Sequence, residues 1–259
     1  MIRPLLALLL LAGSSHTCAA AEYHIRDRDP EALAAAIRHA NASPGADTIH
    51  LAENGLYAIL APADDQRALP VIEGELHIIG HGAALRRYSD RRVSLIEVAP
   101  GSELRLEQLS LAEGAQGAIS NHGRLYMSDV QVTDSTSAEP PAIVVNDGEL
   151  FASRCEFSFN QLIGTRNNGG ALINRGLMRI NDSLIAGNRV SRESSELSTG
   201  AVLNFGDLTM QRVRFEDNRF TDTPSEESLV AVLNAASGQI SGDLDASTIR
   251  TLTAVATPL

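Results

Sequence analysis

The chain of 259 residues has no lysine, and all 21 of its basic residues are arginine. Schiff-base, lysine-base and lysine-nucleophile chemistry are thereby excluded, since each needs an amine that can lose its proton. Tryptophan is absent and aromatic residues make up only 4% of the chain, so no indole platform for a sugar ring exists. There are two cysteines, Cys18 and Cys155. The first falls in an N-terminal leader, so no disulfide framework can form. Basic charge is scarce: 32 acidic residues against 21 basic give a net charge of −11, which makes nucleic acid and anionic membranes poor partners. Long apolar runs are lacking too. The run from Leu5 to Ala12 is too short to cross a bilayer, so no membrane span is expected.

That run instead reads as the core of a signal peptide, Met1 to Ala21, with Arg3 before it and the small residues Ala19 and Ala21 ahead of a cleavage site at Glu22. Ser-His-Thr precedes Cys18 where a lipid-anchor signal would place a leucine and small residues. Cleavage, and hence a secreted or periplasmic location, is the expectation.

What the chain does have is repetition on one register. With Asn121, Asn146, Asn174 and Asn204 as position zero, glycine follows two residues later at Gly123, Gly148, Gly176 and Gly206. Apolar residues recur at offset four (Leu125, Leu150, Met178, Leu208), offset six (Met127, Ala152, Ile180, Met210) and offset eleven (Val132, Phe157, Ile185, Phe215). A second asparagine closes three units at Asn160, Asn188 and Asn218. The leading asparagines, including Asn234, are spaced by 25, 28, 30 and 30 residues. Such units are too short for propeller blades, and their apolar residues alternate with the period of two that marks strands. Each unit is therefore one turn of a β-solenoid. Three short strands per turn are expected, around offsets −4 to −1, four to six, and nine to eleven. Earlier turns lack the asparagine but keep the pattern, with Leu104, Leu106, Leu109 and Leu111 at the same offsets and Gly74 to Ile78 starting another.

The segment before the turns carries a helix signal. Asp29 is placed to cap it, Pro30 to begin it, and Leu33, Ala36, Ile37 and Ala40 to form one apolar face. Such a helix would cover an open end of the solenoid, where strand edges and core are exposed. The expected organisation is a leader over 1–21, an N-terminal cap over 22–52, the solenoid over 53–250 and a tail over 251–259. Leu244, Ile249, Leu252 and Val255 are candidates to close the far end.

The stacked N-x-G-x-Φ-x-Φ units, together with Leu69 to Arg87, resemble the right-handed parallel β-helix repeat proteins of the pectate-lyase-like superfamily. Asp29 to Leu51 resembles the opening of bacterial secreted and surface β-helix proteins of the polymorphic outer-membrane-protein and adhesin kind. The resemblance spans about Asp29 to Ile240. It implies an all-β fold, a single right-handed parallel β-helix with an N-terminal capping helix. It does not imply one activity, since lyases, hydrolases and non-catalytic adhesins share that architecture.

Stacked turns turn each offset into a column of touching side chains, with neighbouring strands about 4.8 Å apart. The column of leading asparagines is expected to form a hydrogen-bonded ladder, a structural feature because it recurs in every turn. Offset eight aligns Asp129, Arg154, Asp182 and Arg212, and offset three aligns Glu103, Arg124, Glu149, Leu177 and Asp207. Unlike charges alternate there, so these acids read as ladder partners. Cys155, at offset nine beside Val130 and Val213, reads as a buried free thiol. Offset five faces outward and aligns Arg105, Tyr126, Phe151, Arg179 and Thr209. An aromatic pair flanked by arginines on a flat sheet is suited to sugar rings or acidic glycans, and Arg105, Tyr126, Phe151 and Arg179 are the candidate binding residues.

Catalysis in this fold would need two or three convergent carboxylates. Asp64-Asp65 precedes the regular turns, and Glu216-Asp217 has no acids in matching columns. Gly80-His81-Gly82 is similar to an element of polygalacturonase-type hydrolases and fits equally an ordinary bend; the Arg-x-Pro-x-x-Arg element of pectate lyases is absent. No catalytic residue is assigned. His77 and His81, four apart on a strand and bend, do not share a face, so no metal site is assigned, and no cofactor motif is present. The polar connections Arg189 to Thr199 and Arg219 to Leu229 leave one corner and form a second candidate surface. The expected function is a binding or surface-interaction module for a polysaccharide or a cell-surface protein. The alternative is a polysaccharide lyase or glycoside hydrolase of the same fold.

Overall fold

The structure is a computed structural model, and it describes residues 20–138, 142–163, 170–190, 201–220, 231–235, 237–244 and 249–251. Residues 1–19, which hold most of the expected leader, lie outside the described residues, as do nearly all of the two long connections and the residues from Leu252.

Within them the chain is a parallel β-solenoid of about seven turns with one short helix. Every strand pairs in parallel with its counterpart one turn away. The longest sheet runs from Glu22–Ile25 and Ala46–Leu51 through Glu75–Arg87, Glu103–Ala112, Arg124–Thr133, Glu149–Ser153, Leu177–Asn181 and Asp207–Gln211 to Gln239–Gly242. A second sheet stacks Ile96–Val98, Ile119–Asn121, Val144–Asn146, Leu172–Asn174, Val202–Asn204, Val232–Asn234 and Ile249–Thr251. The register is the one the asparagines mark, Asn121 opposite Asn146, then Asn174, Asn204 and Asn234.

Two details differ from expectation. The first strand of each turn begins about two residues later and ends on the asparagine itself, because the backbone carbonyls of Asn121, Asn146 and Asn174 accept from Asp147, Arg175 and Phe205 of the next turn and carry the ladder through that position. A fourth strand is also present, the two-residue segments Thr136–Ser137, Gln161–Leu162, Arg189–Val190 and Arg219–Phe220, which form a sheet of their own. Two residues are too few for a periodic signal to register in sequence.

Burial follows the alternation. In Glu149–Ser153, Leu150 and Ala152 are buried while Glu149, Phe151 and Ser153 face outward. The turn with small Ala152 at one inward column carries large Phe157 at another, both buried, as a close-packed core of constant cross-section requires. From Val144–Asn146 to Val232–Asn234 the second sheet is buried on both faces. Val145, Ile173, Leu203 and Leu233 form a separate apolar cluster there.

The glycines at offset two serve close approach. Their φ values are ordinary, but a Cβ on Gly148, Gly176 or Gly206 would drive into the backbone carbonyl of the glycine one turn earlier. The turns stack so tightly at this corner that only hydrogen fits.

The helix Pro30–Ala42 forms as its sequence directs: the Asp29 carboxylate accepts from the Ala32 amide at 3.0 Å, and the Ser43 amide donates to the Ala40 carbonyl. Its buried face of Leu33, Ala36, Ile37 and Ala40 joins the main core beside Ile25, Ile49 and Tyr57. Tyr57 is fully buried, donating to the Ile25 carbonyl at 2.8 Å and accepting from the Ala52 amide at 2.9 Å. Burial raises its phenol pKa.

Candidate functional site

Two asparagine ladders fix the corners on either side of the long sheet. In the first, each side-chain amide donates to the next carbonyl oxygen, from Asn121 to Asn146 at 2.7 Å, Asn146 to Asn174 at 2.8 Å, Asn174 to Asn204 at 2.8 Å and Asn204 to Asn234 at 2.7 Å. In the second, Asn160 donates to Asn188 at 3.0 Å and Asn188 to Asn218 at 2.8 Å. The Ser135 amide donates to Asn160 Oδ1 at 3.0 Å and so completes the end of that ladder. Such rigid corners hold the side chains of the long sheet at strand spacing.

On that sheet the candidate residues form one continuous stack. The rings of Tyr126 and Phe151 lie 5.0 Å apart and nearly parallel. The Arg105 guanidinium sits 4.5 Å from the centre of the Tyr126 ring, and that of Arg179 lies 5.7 Å from the centre of the Phe151 ring. Register alone produces this, since Arg105, Tyr126, Phe151 and Arg179 are direct partners on four successive strands. Each ring thus has a guanidinium on one side and the other ring on the opposite side. No ring face is left for a sugar to stack on; ring edges, the Tyr126 hydroxyl and the guanidinium heads are what the column presents. Arg105 is held by Glu103 at 2.7 Å, whereas Arg179 makes no ion pair among the described residues.

Sequence alternation did not reveal the second feature of this face, a groove along a bend. Inward residues occupy offsets four and six, then nine and eleven, so the chain must turn between six and nine. It does so by placing Gln108, Asp129, Arg154, Asp182 and Arg212 in the left-handed conformation, at φ of 50° to 57°. Side chains other than glycine rarely adopt it, at roughly 1–2 kcal/mol per residue. The gap of three between inward positions was the available signal. The bend opens a shallow groove of about 750 Å³ past Glu53, His81, Gln108 and Asp129, and one of about 610 Å³ past Asp129, Arg154, Asp182 and Arg212. Asp129 and Gln131 line both, so the two are continuous.

Asp129 and Asp182 in the groove are paired with arginines. Arg154 forks onto Asp129 at 2.7 and 2.8 Å, and Arg212 onto Asp182 at 2.5 and 2.8 Å. These hydrogen bonds hold both carboxyls below their ordinary pKa and raise that of each arginine. At offset three Arg124 bridges Glu149 at 3.0 Å and Glu103 at 3.5 Å. The other acids are engaged as well: Asp64 accepts from the Gln66 and Arg67 amides of its own turn, and Asp217 pairs with Arg219 at 2.5 Å. Cys155 lies buried below the groove, where burial pushes its thiol up to about 11, an unreactive state.

His77 and His81 both lie on the outward side of the strand Glu75–Arg87, unlike the expectation that they would not share a face, but they have different partners. His77 faces Glu107 at 3.1 Å in the column before Arg105, whereas His81 joins two histidines from earlier turns. His50 and His24 lie in turns without a leading asparagine, so the repeat register did not reach them.

Fold and site together define a parallel β-solenoid with a charged, grooved sheet. No known protein family, curated protein or solved structure matches the chain.

Proposed function

We propose that this chain is a binding module for an extended anionic glycan, exported to the periplasm or the cell exterior, and that it is a right-handed β-helix of the pectate-lyase-like kind with its helix closing one end. The observation that carries the binding reading is the Arg105–Tyr126–Phe151–Arg179 stack. Its members repeat at strand spacing along a rigid flat sheet. An extended polymer with carboxylate or sulfate groups meets Arg179 and the Tyr126 hydroxyl without rearrangement, and the ring edges and arginine stems supply apolar contact. Arg105 is already committed to Glu103, so Arg179 is the main anion contact.

The state of the acids supports binding over turnover. A general acid works with a raised pKa, and Asp129 and Asp182 are lowered. One observation favours the second reading, a glycoside hydrolase: Asp129 and Asp182 sit two turns apart on one groove, roughly 9.6 Å by strand spacing, near the separation used by inverting enzymes. Arg154 stands between them and neutralises one.

Titration with uronate-rich and sulfated oligosaccharides tests the proposal. Arg179→Ala and the pair Tyr126→Ala with Phe151→Ala should each remove most of the affinity, and raised salt should weaken the wild type. The same polymers, incubated with the wild type, should show no reducing-end release or unsaturated product. Retained affinity in both variants sinks the glycan-column reading, and cleavage abolished by Asp129→Asn or Asp182→Asn establishes the hydrolase instead.

A further inference from the structure

Two imidazoles and a carboxylate meet at the N-terminal end of the long sheet, and a third imidazole stacks behind them. His24 on Glu22–Ile25 lies directly opposite His50 on Ala46–Leu51. Their rings stack 4.8 Å apart at 13°, and His81 stacks on the far side of His50 at 5.6 Å and 13°. His50 Nδ1 and His81 Nε2 are 3.3 Å apart. The ligand atoms of Glu22, His24 and His50 all lie within 4.8 Å of one another.

A bulge brings His81 to this place. Between Ile79 and Ala83 the strand Glu75–Arg87 carries two more residues than its partner has between Glu107 and Leu109. The extra length puts His81 and Gly82 at positive φ, 50° and 82°. Bulges re-aim side chains in this way and recur beside functional sites. Backbone pairing holds the other histidines, and the Asn54 amide donates to the His81 carbonyl at 3.0 Å to fix the bulge.

We propose that Glu22, His24 and His50 bind a divalent transition ion of the zinc class, with two imidazole nitrogens and one carboxylate oxygen, and that His81 positions the His50 ring through its Nδ1. Metal–nitrogen bonds of about 2.0–2.1 Å in a tetrahedron place ligand atoms roughly 3.3 Å apart. The ligand atoms of Glu22, His24 and His50 lie within 4.8 Å of one another, and the His50 Nδ1–His81 Nε2 contact at 3.3 Å orients the His50 ring from its other side. Glu22 and His24 are exposed and can rotate to close the rest of that separation. Two imidazoles with one carboxylate favour zinc over calcium or magnesium, which prefer all-oxygen sets, and leave a fourth position open. The ion ties the first strand to the turn that follows and sits beside the end of the groove, which His81 lines. The histidine spacings in sequence, 26 and 31 residues, carry no motif, so the site exists only through strand register.

The test is calorimetric titration of the tag-free, chelator-stripped full chain with zinc chloride, and of the cobalt-loaded chain by visible absorption. One zinc per chain should bind, the cobalt form should show the intense bands of a tetrahedral ion, and zinc should raise Tm. His24→Ala and His50→Ala should each weaken zinc by at least about tenfold, and His81→Ala, which removes the contact that orients His50, should weaken it as well. His77→Ala, on the same sheet but outside the cluster, should leave affinity unchanged and shows that the effect is local. Circular dichroism of each variant establishes that it is folded. Absence of stoichiometric zinc binding, or binding that survives both His24→Ala and His50→Ala, overturns the proposal, as does calcium or magnesium binding with equal affinity.

Discussion

Asn174 stands in the middle of the first ladder and Asn234 at its described end, so replacing each by leucine of similar size tests whether the ladder acts as one structure. The Asn174 side chain is fully buried, accepts from Asn146 at 2.8 Å, and donates to Asn204 Oδ1 at 2.8 Å and the Asp207 carbonyl at 3.1 Å. In Asn174→Leu the Asn146 amide still reaches the carbonyls of Gly148 and Leu177. Asn204 Oδ1 loses its donor inside the wall, and the Asp207 carbonyl loses one. At about 1–3 kcal/mol for each orphaned buried group, with the carbonyl only part-buried, the loss comes to about 2–4 kcal/mol. Asn234→Leu is milder. Asn234 accepts from Asn204 at 2.7 Å and donates to the Gly238 carbonyl at 2.9 Å, and the Asn204 amide keeps the Gly206 and Gln239 carbonyls when Asn234 is gone. Its expected cost is about 1 kcal/mol. Urea denaturation followed by far-UV circular dichroism suits a chain without tryptophan, and m must be compared along with the midpoint because solenoids can unfold turn by turn. Equal losses, or a larger loss for Asn234→Leu, refute the continuous ladder.

Two further outcomes follow from the same geometry. Gly176→Ala should destabilise by more than the 1–3 kcal/mol typical of overpacking, because backbone carbonyl and not a pliable side chain meets the new methyl, while Gly74→Ala, whose nearest neighbour would be the Ala40 carbonyl at 3.8 Å, should be near neutral by the same denaturation assay. The folded-state pKa of Asp129 and of Asp182 lies below the ordinary 3.8, so the stability each contributes is present above about pH 4 and lost as pH falls through the lowered value. In Arg154→Gln, the Asp129 carboxyl, followed by carbon NMR, should titrate nearer 3.8, while Asp182 keeps its main partner Arg212 and moves little; an unmoved Asp129 would show that Arg154 is not the cause.

The sequence alone determined the turns and their register. A solenoid repeats one local environment, so the apolar columns at offsets four, six and eleven, the asparagine ladder and the opposed charges of Asp129 with Arg154 are written as periodic matches that need no tertiary information. The helix, too, was legible from Asp29, Pro30 and one apolar face, because capping and amphipathicity are local. The fourth strand, the left-handed bend at offset eight and the reason for Gly176 became visible only in three dimensions. Two-residue strands carry no period, arginine and aspartate do not advertise positive φ, and the closeness of Gly176 to Gly148 depends on a neighbour 28 residues away.

The candidate site divides the same way. Alignment placed Arg105, Tyr126, Phe151 and Arg179 in one column, but only the structure shows that their planes stack and leave edges, not faces, toward solvent. His24, His50 and His81 lie in turns of irregular length, where no shared offset relates them. A two-residue bulge brings His81 against His50, and an insertion that breaks the repeat cannot be read from the repeat. Periodic features of this protein are set by sequence because each turn meets a copy of itself. Its aperiodic features are set by tertiary structure because their partners are unlike and distant along the chain.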